Sequence, residues 1–136
     1  MASESEPATN ADSSPKGFFA ARVASVGFAL KGLVGLTKTE THFQVALLGA
    51  VVTVGVCFWF RIEPGEWLAV SLVIGLVLIT EAINTAIERF VDLVHPARHP
   101  DAGRVKDLAA GASLIAVLCS LAVAAIVFGP RLVALF

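Results

Sequence analysis

From Phe43 to Phe60 the chain runs eighteen residues without a charged side chain, and further uncharged runs follow from Trp67 to Thr80 and from Leu108 to Pro130. At about 1.5 Å of rise per residue, such a run is just long enough as a helix to cross the roughly 30 Å hydrocarbon core of a bilayer. Inside that core the backbone must satisfy its own hydrogen bonds, so each run is predicted to be helical. The expected fold is all-α: an integral membrane bundle of three transmembrane helices, spanning about 43–60, 67–94 and 107–129. Composition agrees, since 57% hydrophobic and 15% charged residues with a mean hydropathy of +0.82 are too apolar for a soluble domain. A chain of 136 residues allows one domain.

Each connection carries its own signals. RIEPGE turns the chain back after the first span, with Pro64 and Gly65 supplying the break. Trp67 suits a membrane interface, and the helical pattern it opens continues to about Val94, where His95, Pro96 and Pro100 end it. The third span opens near Lys106 or Asp107 and reaches Gly129 and Pro130, and its small residues Ala109, Ala110, Gly111, Ala112 and Ser113 let another helix approach closely. Before the spans, Phe19, Val23, Val26, Leu30 and Leu33 recur at helical spacing with Arg22 and Lys31 beside them. This predicts an amphipathic surface helix over about 17–37. The Ser-rich leader, 1–16, is expected to be disordered and lacks the pattern of a signal peptide.

Charge orients the bundle. Lys16, Arg22, Lys31 and Lys38 precede the first span, and Arg89, Arg98, Arg104 and Lys106 cluster between the second and third, whereas the other connection and the tail hold only Arg61 and Arg131. The amino terminus is therefore expected on the cytoplasmic side of the membrane and the carboxyl terminus outside. The net charge is −1, and +2 once Glu4, Glu6 and Asp12 of the leader are set aside, which argues against a nucleic-acid partner. Cys57 and Cys119 lie within apolar runs and read as small buried hydrophobes.

Polar chemistry concentrates at the far end of the second span. Glu81, Asn84, Thr85, Glu88 and Asp92 fall within one narrow helical stripe. Ionisable groups on a membrane segment usually mark a working site, here one facing a metal ion or a substrate. Glu40 precedes the first span by three residues and is expected at the depth of Glu88. Two carboxylates from different helices suit Mg²⁺, which completes its octahedron with waters and phosphate oxygens. The bland alternative pairs Glu88 with Arg89 or Lys106. Glu81 lies about two turns deeper and is a candidate base for a lipid hydroxyl, or else a packing carboxyl bonded to Asn84. Asp92 is expected to engage Arg98 or Arg104. Lys106 can meet phosphate oxygens as a mobile charge, or form an inert pair with Asp107. Soluble phosphate-transfer loops of the GxxxxGK[ST] and GxGxxG types are absent from the sequence.

The string Glu81, Asn84, Thr85, Ala86, Ile87, Glu88, Val91, Asp92, Leu93, followed by His99-Pro100 and by Lys106, Asp107, Ala109, Ala110 and Gly111, resembles the prokaryotic diacylglycerol kinase family, which includes undecaprenol kinases. A weaker likeness extends back through Lys31-Gly32-Leu33 and Glu40 to about Gly17. The resemblance implies a homotrimer with active sites shared between subunits, phosphorylating a lipid alcohol with ATP. Under it Glu81 is the general base, Glu40 and Glu88 are the magnesium carboxylates, and Asn84 and Lys31 join Glu81 at the substrate. The nucleotide is met by Arg22, Phe28, Ala97, Arg98, His99, Lys106 and Asp107 together with the two metal carboxylates.

Departures are local. Gln44 stands where the family commonly has Arg, Val45 and Ala46 replace polar residues, and Phe28 replaces an aromatic that is often Tyr. These changes bear on headgroup and nucleotide contacts. The motif looks closer to the undecaprenol kinase branch than to the enterobacterial diacylglycerol branch. Two other functions fit the same stripe: a lipid phosphatase using Glu81 to activate water, and a non-enzymatic membrane assembly.

Overall fold

Glu40 has extended backbone, φ −110° and ψ 107°, and this single non-helical residue separates two helices. In the computed structural model, which describes residues 15–97 and 99–134 and side chains from residue 22 onward, the order is α1 Pro15–Thr39, α2 Thr41–Phe60, α3 Pro64–Val94 and α4 Pro100–Val133. The last three are long and apolar enough to cross a membrane. The chain forms two units, Met1–Gly35 and Leu36–Phe136. Most of the leader, residues 1–14, lies outside the described residues. Along α1, Val23, Val26, Phe28, Leu30, Leu33 and Val34 are exposed.

The turn between α2 and α3 differs from the sequence expectation. Pro64 and Gly65 do not break the chain; they form the first turn of α3, where a proline lacking its N–H costs nothing. Glu63 and Glu66 close a capping box around that start, each side chain meeting the other residue's backbone N–H. The reversal falls instead on Arg61, at φ 49° and ψ 52°. Its N–H bonds Phe58 O and the Ile62 N–H bonds Cys57 O, both at 3.3 Å, the pattern of a Schellman helix end built on a non-glycine residue.

At the next turn His99 caps α4, its Nδ1 accepting from the Asp101 N–H at 3.2 Å, and Pro100 takes the first helical position. The charged segment DAGRVK is thereby helical, and α4 begins seven residues before Asp107. At its other end α4 passes through Pro130 to Val133. Proline has no N–H for the carbonyl four residues back, and the helix ends within a turn of it.

Two ion pairs hold α3 and α4 antiparallel. Lys106 donates to Asp92 at one end, and Arg131 grips Glu66 with two bonds of 2.8 and 2.7 Å at the other. Cys57, Ile62, Val70, Val127 and Phe128 form the core near the Arg61 turn, packed by Val56, Phe60, Trp67 and Ile74. Ring contacts Phe58–Trp67 at 4.9 Å and Phe60–Phe128 at 6.0 Å tie the three helices there. Higher up, Ala46, Gly49 and Thr53 of α2 leave a cavity of about 230 Å³ against Val77 and Ser120. Cys57 is fully buried as expected, but Cys119 is exposed on the outer face of α4.

The left-handed conformation costs an L-residue about 1–2 kcal/mol, against about 0.5–1 for glycine's extra chain entropy. Arg61→Gly is therefore expected to stabilise the bundle by about 0.5–1 kcal/mol. Arg61→Val should destabilise it. Thermal unfolding in detergent micelles checks both, and a lower Tm for the glycine variant would contradict the account.

Candidate functional site

The helical period of α3 turns Asn84, Thr85 and Val91 into the bundle and leaves Glu81 and Glu88 half-buried beside them. Asn84 Nδ2 donates to Glu88 Oε1 at 2.9 Å, a contact one turn apart on the same helix. Glu88 therefore meets a neutral amide and not the cations proposed as alternatives. Asn84 Oδ1 is buried without a partner, as is the Oγ of Ser113 on α4.

Glu40 makes no cap bond with its side chain, so its carboxylate projects sideways. Arg89 takes it, through Nε at 3.0 Å and through Nη2, while Nη2 also donates to Thr39 Oγ1 at 2.7 Å. One step along α3 from Glu88, the arginine points about 100° round the helix, toward the start of α2. Arg89, which the sequence offers only to Glu88, thus brings Glu40 to the level of Glu88.

The end of α3 and the start of α4 enclose an open cleft of about 470 Å³, lined by Asp92, His95, Ala97, His99 and Lys106 among others. Lys106 Nζ donates to Asp92 Oδ1 on one wall. Asp92 does not engage Arg104, which bonds Asp101 at 3.2 Å one turn away. The rings of His95 and His99 stack at 5.8 Å with an interplanar angle of 28°. The sequence marks His95 only as a helix terminator. Asp107 is exposed on α4 and does not line the cleft. Arg98 lies outside the described residues. In the first unit, Lys31 Nζ sits 5.8 Å from the centroid of the exposed Phe28 ring, a cation–π contact, and Arg22 is exposed on the same helix. Among the described residues no three His, Cys, Asp or Glu side chains cluster as a self-sufficient metal cage.

Three membrane-length helices that gather carboxylates, an amide and a lysine-lined cleft at one end define a small integral membrane protein with a polar site at that end. The prokaryotic diacylglycerol kinase family matches this chain over residues 27–128. An undecaprenol kinase of Bacillus subtilis is 33% identical over 75% of this chain and 83% of its own length. A diacylglycerol kinase of Pseudomonas aeruginosa is also 33% identical, over 68% of this chain and 76% of its own. One from Escherichia coli is 28% identical, over 71% and 79%. The chain belongs to the prokaryotic diacylglycerol kinase family and is a lipid kinase. That membership decides against the phosphatase and the non-enzymatic assembly.

Arg89 is 60% exposed in its pair with Glu40, where water screens the attraction. A double-mutant cycle of Glu40→Gln and Arg89→Gln, read by thermal unfolding, should give a coupling below about 1 kcal/mol. A much larger value would mean that Glu40 cannot be released to another partner.

Proposed function

We propose that the protein transfers the γ-phosphoryl group of ATP to the hydroxyl of a membrane lipid alcohol, diacylglycerol or undecaprenol, at the cytoplasmic surface. The observation that carries this reading is the convergence of Glu40, Glu88 and the Lys106-lined cleft at one end of the bundle, on a chain of this family. The basic residues before α2 and between α3 and α4 support placing that end inside, with the carboxyl terminus outside. Relatives named for each acceptor reach 33% identity, and both acceptors present a single hydroxyl at the interface.

Glu81 is the proposed base. It lies seven residues below Glu88, about 10 Å along the helix, nearer the apolar run where a lipid hydroxyl would sit. Its carboxylate accepts the hydroxyl proton as the alcohol oxygen bonds to the γ-phosphorus. The bond to the bridging oxygen breaks and ADP leaves. Asn84 and Lys31 are assigned to the acceptor side, and Arg22, Phe28, Ala97, Arg98, His99, Lys106 and Asp107 to the nucleotide.

The donor set fits Mg²⁺, which asks for one or two protein carboxylates and takes its remaining ligands from phosphate and water. Glu40 and Glu88 are the residues proposed to hold it, Glu40 after release from Arg89. When bound, the ion offsets charge on the transferring phosphoryl group. Helix α1 is proposed to lie in the membrane surface, as part of a kinase domain over 17–136 that follows a leader at 1–16. The assembly is proposed as a homotrimer with sites shared between subunits. Support comes from the single thin bundle and from small residues on its exposed faces, Ala86, Ala110 and Ala112 among them, which let another helix approach closely.

Radiolabelled ATP supplied with a panel of lipid alcohols should label a lipid phosphate only with an accepted alcohol. Glu81→Gln should lower that rate by about 10² to 10⁴. A variant retaining most of its rate with ordinary ATP affinity would remove Glu81 from the role of base. For the shared site, mixing Glu81→Gln and Glu40→Gln proteins should restore part of the activity as subunits exchange. Crosslinked mixed trimers that stay inactive would argue against it.

A further inference from the structure

Within the helices, Thr53, Thr80 and Ser120 each turn the hydroxyl onto a carbonyl of their own helix, at 2.8 to 3.0 Å. This is the usual resort of a hydroxyl on an apolar helix. Ser113 departs from it. The residue is 6% exposed, and its Oγ is buried with no partner. Asn84, 8% exposed, is in a complementary condition: Nδ2 serves Glu88, while Oδ1 is buried and has no donor. One group lacks an acceptor for its O–H and the other lacks a donor.

The register of α3 against α4 puts them at one level. Counting eighteen residues along α3 from Glu66, and eighteen back along α4 from its partner Arg131, arrives at Asn84 and Ser113. From the other clamp, eight residues back from Asp92 and eight on from Lys106 arrive at Asn84 and Leu114, of which Leu114 is 58% exposed. The buried side is that of Ser113. Both helices repeat their inward positions every seven residues, Val70, Val77, Asn84 and Val91 on α3 and Ser113, Ser120 and Val127 on α4. Asn84 and Ser113 thus form one polar layer of a heptad seam.

We propose that Ser113 is a positioning residue for the kinase site: its hydroxyl donates to Asn84 Oδ1, directly or through one buried water, and so sets which face of the carboxamide meets Glu88. A carboxamide turned over would present Oδ1 to the Glu88 carboxylate, acceptor against acceptor. A donor on Oδ1 removes that choice, and Glu88 keeps its bond to Nδ2 and its orientation. The consequence for metal binding rests on the assignment of Glu88 as a magnesium carboxylate; the hydrogen bond does not.

Asn10 and Asn84 are the only asparagines in the chain, so ¹⁵N-asparagine labelling in nanodiscs yields two pairs of side-chain amide signals, and Asn10→Gln identifies them. Ser113→Ala, a small change at a small site, is expected to shift the Asn84 pair and speed its hydrogen exchange. It should also raise the magnesium needed for half-maximal activity by up to about tenfold, with kcat at saturating magnesium little changed. Ser113→Thr, which keeps the hydroxyl, should restore both. An unmoved Asn84 pair in Ser113→Ala overturns the hydrogen bond, and a moved pair with unchanged magnesium dependence overturns the positioning role. Glu88→Gln with the parent's magnesium dependence would instead remove Glu88 from the metal, leaving the amide measurement to stand on its own.

Discussion

The antiparallel register of α3 and α4 governs the rest of the molecule. In hydrocarbon, apolar side chains gain nothing by leaving lipid for one another, so helices are held by close packing and by the few polar pairs they can make. Here the pairs stand at the two extremes of the seam, Asp92 with Lys106 and Glu66 with Arg131. The small residues between them, Ala116 at 2% exposure among them, let the backbones close up. A slip of one residue would break both clamps and part Asn84 from Ser113, and with it the cleft would lose a wall.

The two ends of the bundle are built differently, and the difference suits their tasks. Around the Arg61 turn, Cys57, Ile62, Val127 and Phe128 are packed against aromatic rings, and the arginine–carboxylate pair is bidentate with about a quarter of each side chain exposed. At the other end the arginines are exposed: Arg89 on Glu40 and Thr39, Arg104 on Asp101. Such contacts are weak and exchangeable. A site that must admit a nucleotide and release a product is expected in the less stable part of a fold, supported by the rigid part.

Much of this could be read along the chain because helical periodicity is local. Glu81, Asn84, Thr85 and Glu88 share a face on any α-helix, and the amide–carboxylate bond one turn apart follows from that spacing. The reversal at Arg61 was not legible, since Pro64 and Gly65 are the stronger signals and a proline both ends and begins helices. Nor was the partner of Asp92. Arg98, Arg104 and Lys106 all lie within reach in sequence, and the choice follows from where α4 starts. With Pro100 as its first residue, Arg104 falls beside Asp101 and Lys106 turns toward α3.

By itself the sequence determined that three helices cross a membrane, that their chemistry gathers at one end of the second, and which family the chain belongs to. These depend on the order of residues within single segments, where hydropathy and a 3.6-residue period suffice. Only the tertiary structure decided that Arg89 holds Glu40, that Lys106 answers Asp92, and that the unpartnered groups of Asn84 and Ser113 lie at one level. Each joins residues from separate stretches of the chain, 14 to 49 positions apart for the two ion pairs. Such pairings are set by the register of one helix on another, which no single segment contains.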